Sequence, residues 1–499
     1  MNSAYTFRSV LVVFTLALLI CSRVHAGEPT STVRPAYCAG SWYPGHQEKL
    51  AQTVDELIDQ ASPPPLDGNP IAVIAPHAGY RFSAPVAAAG YSYLRDRSYQ
   101  RVIIMALSHR YAGTYHGVEV PRELTAYQTP LGEVPIDRQV CDDLLERKTF
   151  LSKPGMDRGE HSLELQLPFL QRTIGEFRLV PLLVGQMTES EYAAAAEAIR
   201  PWVDAQTLLV ASSDFTHYGP RFDYLPFRKD VPDKLRELAD QAAEPIEQCD
   251  FDGFLEYLAK TEDTICGRNP IALMLRILSM EGGARAVRAA FDTSGNLTGD
   301  WDNSVTYQAF VFTRRPGTLG TQEREQLLRL ARQTVTAQLQ GDPLPEVDAG
   351  QLPGALQENG ACFVTLENRG QLRGCIGHMV AHEPLYQSVK HNAVAACADR
   401  RFVGNPVTAQ ELDQLHIEIS YLTPMKRVED PGKIIVGRHG LMIVLGRNRG
   451  VLLPQVPARY GWTRENFLAQ TCRKAGLPAD AWKRPDAELY SFEAEVFGE

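Results

Sequence analysis

No pair of the nine cysteines is spaced as CxxC, so the usual two-thiol metal and redox motifs are missing. An excess of positive charge is missing too. Lys and Arg number 50 against 60 Asp and Glu, a net charge of −10, and such a chain has no global electrostatic pull toward nucleic acid. No repeat or low-complexity tract stands out. An apolar run long enough to span a bilayer, roughly 20 residues, is absent as well; Val10 to Cys21 covers 12. What remains is an ordinary globular composition, 44% hydrophobic and 22% charged over 499 residues, a length that suits two or three domains.

The N-terminus has the features of an export signal. Arg8 supplies a positive start, Val10 to Cys21 the apolar stretch, and Val24-His25-Ala26 the small residues a signal peptidase reads. The expectation is a signal peptide over residues 1–26, cleavage near Ala26, and a periplasmic protein with no stable membrane span. A retained N-terminal anchor is the other reading, and the bulky Ile20 argues against lipidation at Cys21. Eight cysteines then remain: Cys38, Cys141, Cys249, Cys266, Cys362, Cys375, Cys397 and Cys472. An even number in an exported protein permits disulfides. Domains of this size fold without them, and mostly free thiols are expected.

From Val33 to about Thr313 short apolar runs alternate with helical patterns. Ile71–Ala75, Arg101–Leu107, Arg178–Val184 and Leu208–Ala211 read as buried strands. Leu50, Val54, Leu57 and Ile58 share one helix face; Leu163, Leu167, Leu170 and Ile174 share another, which Pro168 must kink or split. The pattern predicts an α/β domain with a mostly parallel sheet covered by helices on both faces. Arg314–Thr321 reads as a linker. Beyond it a helix carrying Leu328, Ala331, Val335 and Leu339 precedes hairpin-like runs at 362–376 and 442–453 and an alternating run at 416–421, which predicts an α+β domain with an antiparallel sheet. The expected domains are 27–315 and 316–499.

Three predicted strands release polar residues just past their carboxyl ends: Pro76-His77-Ala78-Gly79-Tyr80, Ser108-His109, and Ser212-Ser213-Asp214-Phe215-Thr216-His217. Open parallel sheets bind ligands along that edge. A single histidine there is usually a satisfied polar residue. Several on one edge suggest metal ligation or proton transfer, with Asp214 and His217 as acid–base candidates or as a carboxylate–imidazole support. His161 and Glu164 are spaced to share a helix face, either functionally or as a solvated helix start. Cys266 precedes Gly267 and Pro270 at a predicted helix start, where the dipole favours a thiolate; on residues alone a buried, inert core thiol is the stronger reading.

The stretches Val33-Arg-Pro-Ala-Tyr-Cys-Ala-Gly-Ser-Trp-Tyr43, Ala75-Pro-His-Ala-Gly-Tyr80, Glu160-His-Ser-Leu-Glu164, Ser212–His217 and Thr264-Ile-Cys-Gly-Arg268 resemble the Memo family, in that family's order, across residues 33–313. The resemblance implies a fold like that of class III extradiol dioxygenases and a metal pocket of two His and one Cys. These map onto His77, His109 and Cys266, with Asp214, His217 and His161 on the pocket wall. One departure is Arg110, where family members often carry a second His. Two imidazoles and a thiolate suit iron or copper with open positions, with zinc possible by ligand type. Replacing the dioxygenase carboxylate by a thiolate weakens the case for ring cleavage.

In the second half, Leu372-Arg-Gly-Cys-Ile-Gly-His378 stands out. Two glycines permit close backbone approach, Arg373 can lower the pKa of Cys375, and His378 lies three residues on, against the alternative of a packed strand cysteine. This stretch, with Ala398-Asp-Arg-Arg-Phe402, Ile417–Ser420, Gly440–Ile443 and Leu453-Pro-Gln-Val456, resembles the AMMECR-type domain family over roughly 325–497. That resemblance implies a site candidate (Cys375, Arg373, His378) and no reaction. In many bacteria a Memo-like protein, an AMMECR-type protein and a radical S-adenosylmethionine enzyme form one system, the AmmeMemoRadiSam system, and this chain resembles a fusion of the first two. A functional link to the third is implied, although export separates this chain from an enzyme that works in the reducing cytoplasm. Three functions follow: metal-dependent redox or oxygen chemistry on an unknown small-molecule or peptide substrate, a non-catalytic copper or iron carrier, and a peptide- or protein-binding module with a vestigial pocket.

Overall fold

The four apolar runs of the first half become neighbouring strands. The computed structural model describes residues 32–66, 68–281, 284–314 and 318–499. The expected signal segment and residues 315–317 of the expected linker lie outside the described residues. Pro70–Ala75, Arg101–Ala106, Arg178–Val184 and Thr207–Ser212 pair in parallel, in the spatial order first, fourth, second, third. Successive strand residues point to opposite faces. Ala72 to Ala75, Val102 to Ala106 and Leu208 to Ala211 are all fully buried, so both faces are covered. The covering helices include Tyr80–Tyr91, packed on the Pro70–Ala75 side, and Arg268–Met280, packed on the strands Arg101–Ala106 and Thr207–Ser212.

The parallel part is only the centre of this sheet. Ser304–Arg314 runs antiparallel to both Pro70–Ala75 and Ala284–Thr293, and Val118–Glu119 runs antiparallel to Arg178–Val184. The connection from Thr293 to Ser304 is shorter than the dozen or more residues a parallel crossover needs, so these two long strands can only form an antiparallel pair. The expected break at Pro168 is present. A short 3-10 turn, Glu164–Gln166, gives way to the helix Leu167–Thr173 with the proline in its first turn, where its missing N–H costs nothing.

The second half is an antiparallel sheet in the order Gln371–Gly377, Ala361–Asn368, Leu415–Leu422, Glu488–Gly498, His439–Leu445, Asn448–Leu452. The first hairpin turns at Arg369 and Gly370, both at positive φ (53° and 76°), the geometry that matches strand twist in a two-residue connection. Helices Thr321–Gln340 and Leu385–Cys397 bury Leu327, Ala331, Val335, Val389 and Ala393 against Val364, Leu366, Ile417 and Ile419. Helix Arg464–Lys474 buries Phe467, Leu468 and Cys472 against Leu441 and Ile443.

Where the halves meet, Glu281 accepts from the Thr321 N–H and hydroxyl at 3.1 Å each. A carboxylate at the first residue of a helix satisfies donors the helix itself leaves open. Among the described residues, no helix is long and apolar enough to cross a membrane. Cys38, Cys141, Cys266, Cys362, Cys375, Cys397 and Cys472 are free thiols.

Candidate metal centre

The strand order explains why the polar residues meet. The strand ending at Ser212 lies between those leading to His77 and His109, so all three release their chains at one edge of the sheet. His77, His109 and His161 converge there, with one ligand atom from each inside a 4.8 Å span. Cys266 Sγ lies 3.2 Å from His77 Nε2, close to the roughly 3.5 Å that separates sulfur and nitrogen donors on a tetrahedral ion. His77 is fully buried, His161 half-buried, and His109 exposed; the cluster therefore has a closed floor and an open mouth.

Hydrogen bonds fix which ring nitrogen His77 and His109 offer. Ser212 Oγ donates its proton to the Ser162 carbonyl (2.5 Å) and accepts from Gln166 Nε2 (2.7 Å). It must therefore also accept from His77 Nδ1 at 2.9 Å, which leaves the Nε2 lone pair of His77 beside Cys266. Tyr91 donates to Gln166 Oε1 (2.7 Å), so the amide orientation is set from within the core. His109 Nδ1 donates to Glu160 Oε1 at 2.9 Å, and Glu160 also accepts the backbone N–H groups of His109 (2.7 Å), His161 (2.9 Å) and Ser162 (2.8 Å). Burial raises the pKa of this carboxyl, but the bonds and charges of His109 and His161 outweigh it and hold it at about 2. Such a carboxylate–imidazole pair orients a ligand and increases its basicity.

Burial, with the neighbouring imidazoles, pushes His77 well below the usual histidine range and His161 to about 4. Both are neutral donors at neutral pH, the form that binds metal. His161 is held by its neighbours' rings, stacked on His109 (4.3 Å) with Trp42 tilted against its ring (4.1 Å). Asp214 stands behind the cluster. Its Oδ1 accepts the N–H groups of His77 (2.8 Å) and Ala78 (3.2 Å), and burial raises its pKa. His217 Nδ1 donates to the carbonyls of Phe215 (2.9 Å) and Thr264 (3.1 Å), which leaves its Nε2 as a base.

Two expectations change. Cys266 does precede the helix Arg268–Met280, but burial and the Asp214 carboxylate raise its thiol pKa well above the ordinary value. The helix start does not offset them, and a bound cation would favour the thiolate. The His161–Glu164 pair also separates. Glu164 is fully buried and accepts from Arg34 Nη1 (2.6 Å), Tyr43 Oη (2.7 Å) and the Cys38 N–H (2.8 Å), which ties down the N-terminal segment that carries Trp42. Residue patterns gave no role to Ser212, Gln166 or Glu160. Glu160 had a signal, a carboxylate directly before His161; Gln166 and Ser212 had none.

The Memo-like protein family model matches residues 34–311, more than half of the chain. The chain belongs to the Memo-like family. A second model, AMMECR1, matches residues 328–497, so one chain carries both. A Memo-1 homologue of Caenorhabditis elegans is 34% identical over 251 residues, covering 49% of this chain and 70% of that protein. A MEMO1 family protein of Schizosaccharomyces pombe is 30% identical, covering 56% and 98%. Protein TK0174 of Thermococcus kodakarensis is 45% identical, covering 35% and 89%. The crystal structure of an uncharacterized protein of Pyrococcus horikoshii, PH0010, is 40% identical, covering 36% of this chain and 92% of that one, with a TM-score of 0.34.

In the AMMECR1 half each of the three expected residues has other partners. Arg373 makes a two-pronged ion pair with Glu411 (2.8 and 2.9 Å), so its charge is committed there and not to a Cys375 thiolate. His378 lies beside His382, with rings 4.8 Å apart. Cys375 Sγ accepts from Thr365 Oγ1 (3.3 Å), its N–H donates to Asp399 (3.0 Å), and its carbonyl accepts from Arg401 (2.9 Å). The two glycines behave as expected. A Cβ on Gly374 would strike the Ala396 carbonyl of the covering helix, and one on Gly377 the Cys362 carbonyl.

Proposed function

We propose that the Memo-like half holds a redox-active metal ion, iron or copper, among His77, His109, His161 and Cys266, and that the site acts on a small substrate entering past His109. The observation that carries this reading is the convergence of three imidazole donors within 4.8 Å with a sulfur 3.2 Å from one of them. The donor set fits such an ion: neutral imidazoles suit iron, copper and zinc, and a thiolate favours the softer ones. Bound there, the metal supplies Lewis-acid and electron-transfer chemistry. Ser212 and Glu160 keep the Nδ1 protons of His77 and His109 occupied, so their Nε2 lone pairs face inward. His217, with a free Nε2, and Asp214, with a raised pKa, can hold or pass a proton at the rear wall. A carrier that binds copper or iron without turnover draws support from the same half-buried thiol.

The test is metal identification in protein recovered from its native compartment, with cell fractionation in the same experiment to test export. One equivalent of iron or copper is expected in wild type and almost none in the His77→Ala, Cys266→Ser double variant. Full occupancy in that variant sinks the pocket. If the metal is present but no oxygen uptake accompanies candidate phenols at any metal loading, the carrier reading prevails.

A further inference from the structure

The AMMECR1 half contains a second cluster of metal-ligand atoms, about which neither half's family match says anything. It lies on the loop between the strand Gln371–Gly377 and the helix Leu385–Cys397. One donor atom from each of His378, His382 and Glu383 falls inside a 4.8 Å span. We propose that these three residues form a second site, for a divalent ion of the imidazole-preferring kind, zinc.

Three features carry the proposal. The first is donor orientation. His382 Nδ1 lies 2.9 Å from the Val380 carbonyl, which only accepts, so Nδ1 carries a proton and Nε2 keeps its lone pair. That nitrogen lies 3.9 Å from Glu383 Oε1. Two electron-pair donors at that distance are not hydrogen-bonded to each other, and a separation below about 4 Å suits two donors each about 2.0–2.2 Å from one ion.

The second is support for the carboxylate. Glu383 Oε2 accepts from His391 Nδ1 at 2.8 Å, and His391 lies on the covering helix. The other carboxylate oxygen is thereby left for the ion, and a hydrogen-bonded carboxylate is a better-oriented ligand.

The third is a backbone fixed at both ends of the cluster. His378 donates its N–H to the Cys362 carbonyl (3.1 Å), and the Glu383 carbonyl accepts from the Gly360 N–H (3.0 Å). The loop that carries the ligands is therefore anchored before any ion binds, and less order has to be gained on binding. Two imidazoles and one carboxylate leave a fourth position open to water or another ligand. An ion there would cross-link the loop after the Cys375 strand, and the Glu383–His391 hydrogen bond would carry that order to the helix.

The experiment uses the full chain, made without a polyhistidine tag, stripped of metal and titrated with Zn2+ alone, with bound zinc counted after gel filtration. Wild type is expected to take two equivalents. The His382→Asn, Glu383→Gln double variant should take one, and so should the His77→Ala, His161→Ala variant. Joining all four substitutions should abolish uptake. Because the second equivalent is counted with the Memo-like pocket disabled, failure of that pocket and failure of this site give different results. Two equivalents in the His382→Asn, Glu383→Gln variant overturn the proposal, as does wild type taking a single equivalent that disappears with His77. If a multiple variant fails to fold, shown by circular dichroism, the exposed His382→Asn change alone decides. It should weaken the second equivalent at least tenfold, and an unchanged affinity overturns the site. Zinc should also raise the thermal midpoint of the AMMECR1 half in wild type, and this shift should be lost with His382→Asn.

Discussion

At the scale of single residues, the supporting groups decide what the histidines can do. Glu160 organises the mouth of the pocket with one side-chain and three backbone donors. Glu160→Gln keeps the shape but removes the charge and one full acceptor. It is expected to weaken metal binding about 10–100-fold with little change in the far-ultraviolet circular dichroism spectrum; competition against a chromophoric chelator measures this. Glu119 tests a different consequence of burial. It is 1% exposed, its Oε2 has no hydrogen-bond partner among the described residues, and burial next to Asp157 and Glu123 lifts its pKa to about 9. A carboxyl whose folded pKa exceeds its unfolded one binds more protons when folded. Its contribution to stability is full below the unfolded pKa and declines as pH rises toward the folded pKa, here from about 4.5 to about 9. The expected slope is about 1.4 kcal/mol per pH unit in that window. Glu119→Gln should remove it, as urea unfolding at pH 5, 7 and 9 would reveal; an identical slope in the variant refutes the assignment.

At the scale of elements, the pocket depends on how closely the turn before the helix Arg268–Met280 approaches the end of the strand Thr207–Ser212. Gly267 makes that approach possible. A Cβ at this position would lie 2.5 Å from the Ser212 carbonyl and still nearer the Ser213 side chain, and the Gly267 N–H donates to Ser213 Oγ at 3.0 Å. Gly267→Ala must push the turn, and Cys266 with it, away from His77. The expected cost is about 1–3 kcal/mol of stability, as for other overpacked sites, with metal affinity falling more than stability does. Denaturant unfolding and chelator competition on one preparation separate the two. Unchanged affinity in a folded Gly267→Ala protein shows that Cys266 does not ligate.

At the scale of the whole molecule, each half has its own large hydrophobic cluster, and among the described residues the polar contacts between them include Glu281 with Thr321, Arg314 with Glu323 and Gln322 with the Pro201 carbonyl (2.9 Å). Calorimetry of the full chain is therefore expected to resolve two transitions, because separate cores unfold separately unless their interface is large and apolar. Glu281→Ala removes the acceptor at the start of the helix Thr321–Gln340. It should cost about 1 kcal/mol, the usual worth of a cap, in the transition of the AMMECR1 half, leaving metal binding by the Memo-like half unchanged. A single cooperative transition in wild type overturns this picture of the interface.

The buried strands, the α/β and α+β characters of the two halves, the hairpins, and the edge of the sheet where His77, His109 and Asp214 emerge were legible from the sequence. Each follows from local periodicity or from residues adjacent in the chain. The antiparallel flank Ser304–Arg314 was not, since strand direction depends on connection length and pairing rather than on composition. The tertiary structure alone decided the spatial order that inserts the Ser212 strand between the two histidine strands. It also drew His161 from the wall into the cluster, opposed the expected effect of the helix start on Cys266, and gave Arg373 and His378 partners other than Cys375. The physical reason is common to all four: tautomer, charge state and ligand geometry are set by partners distant in sequence, as Ser212 sets His77 and Glu411 takes Arg373. The linear pattern names the residues, and only packing determines which atoms of them face one another.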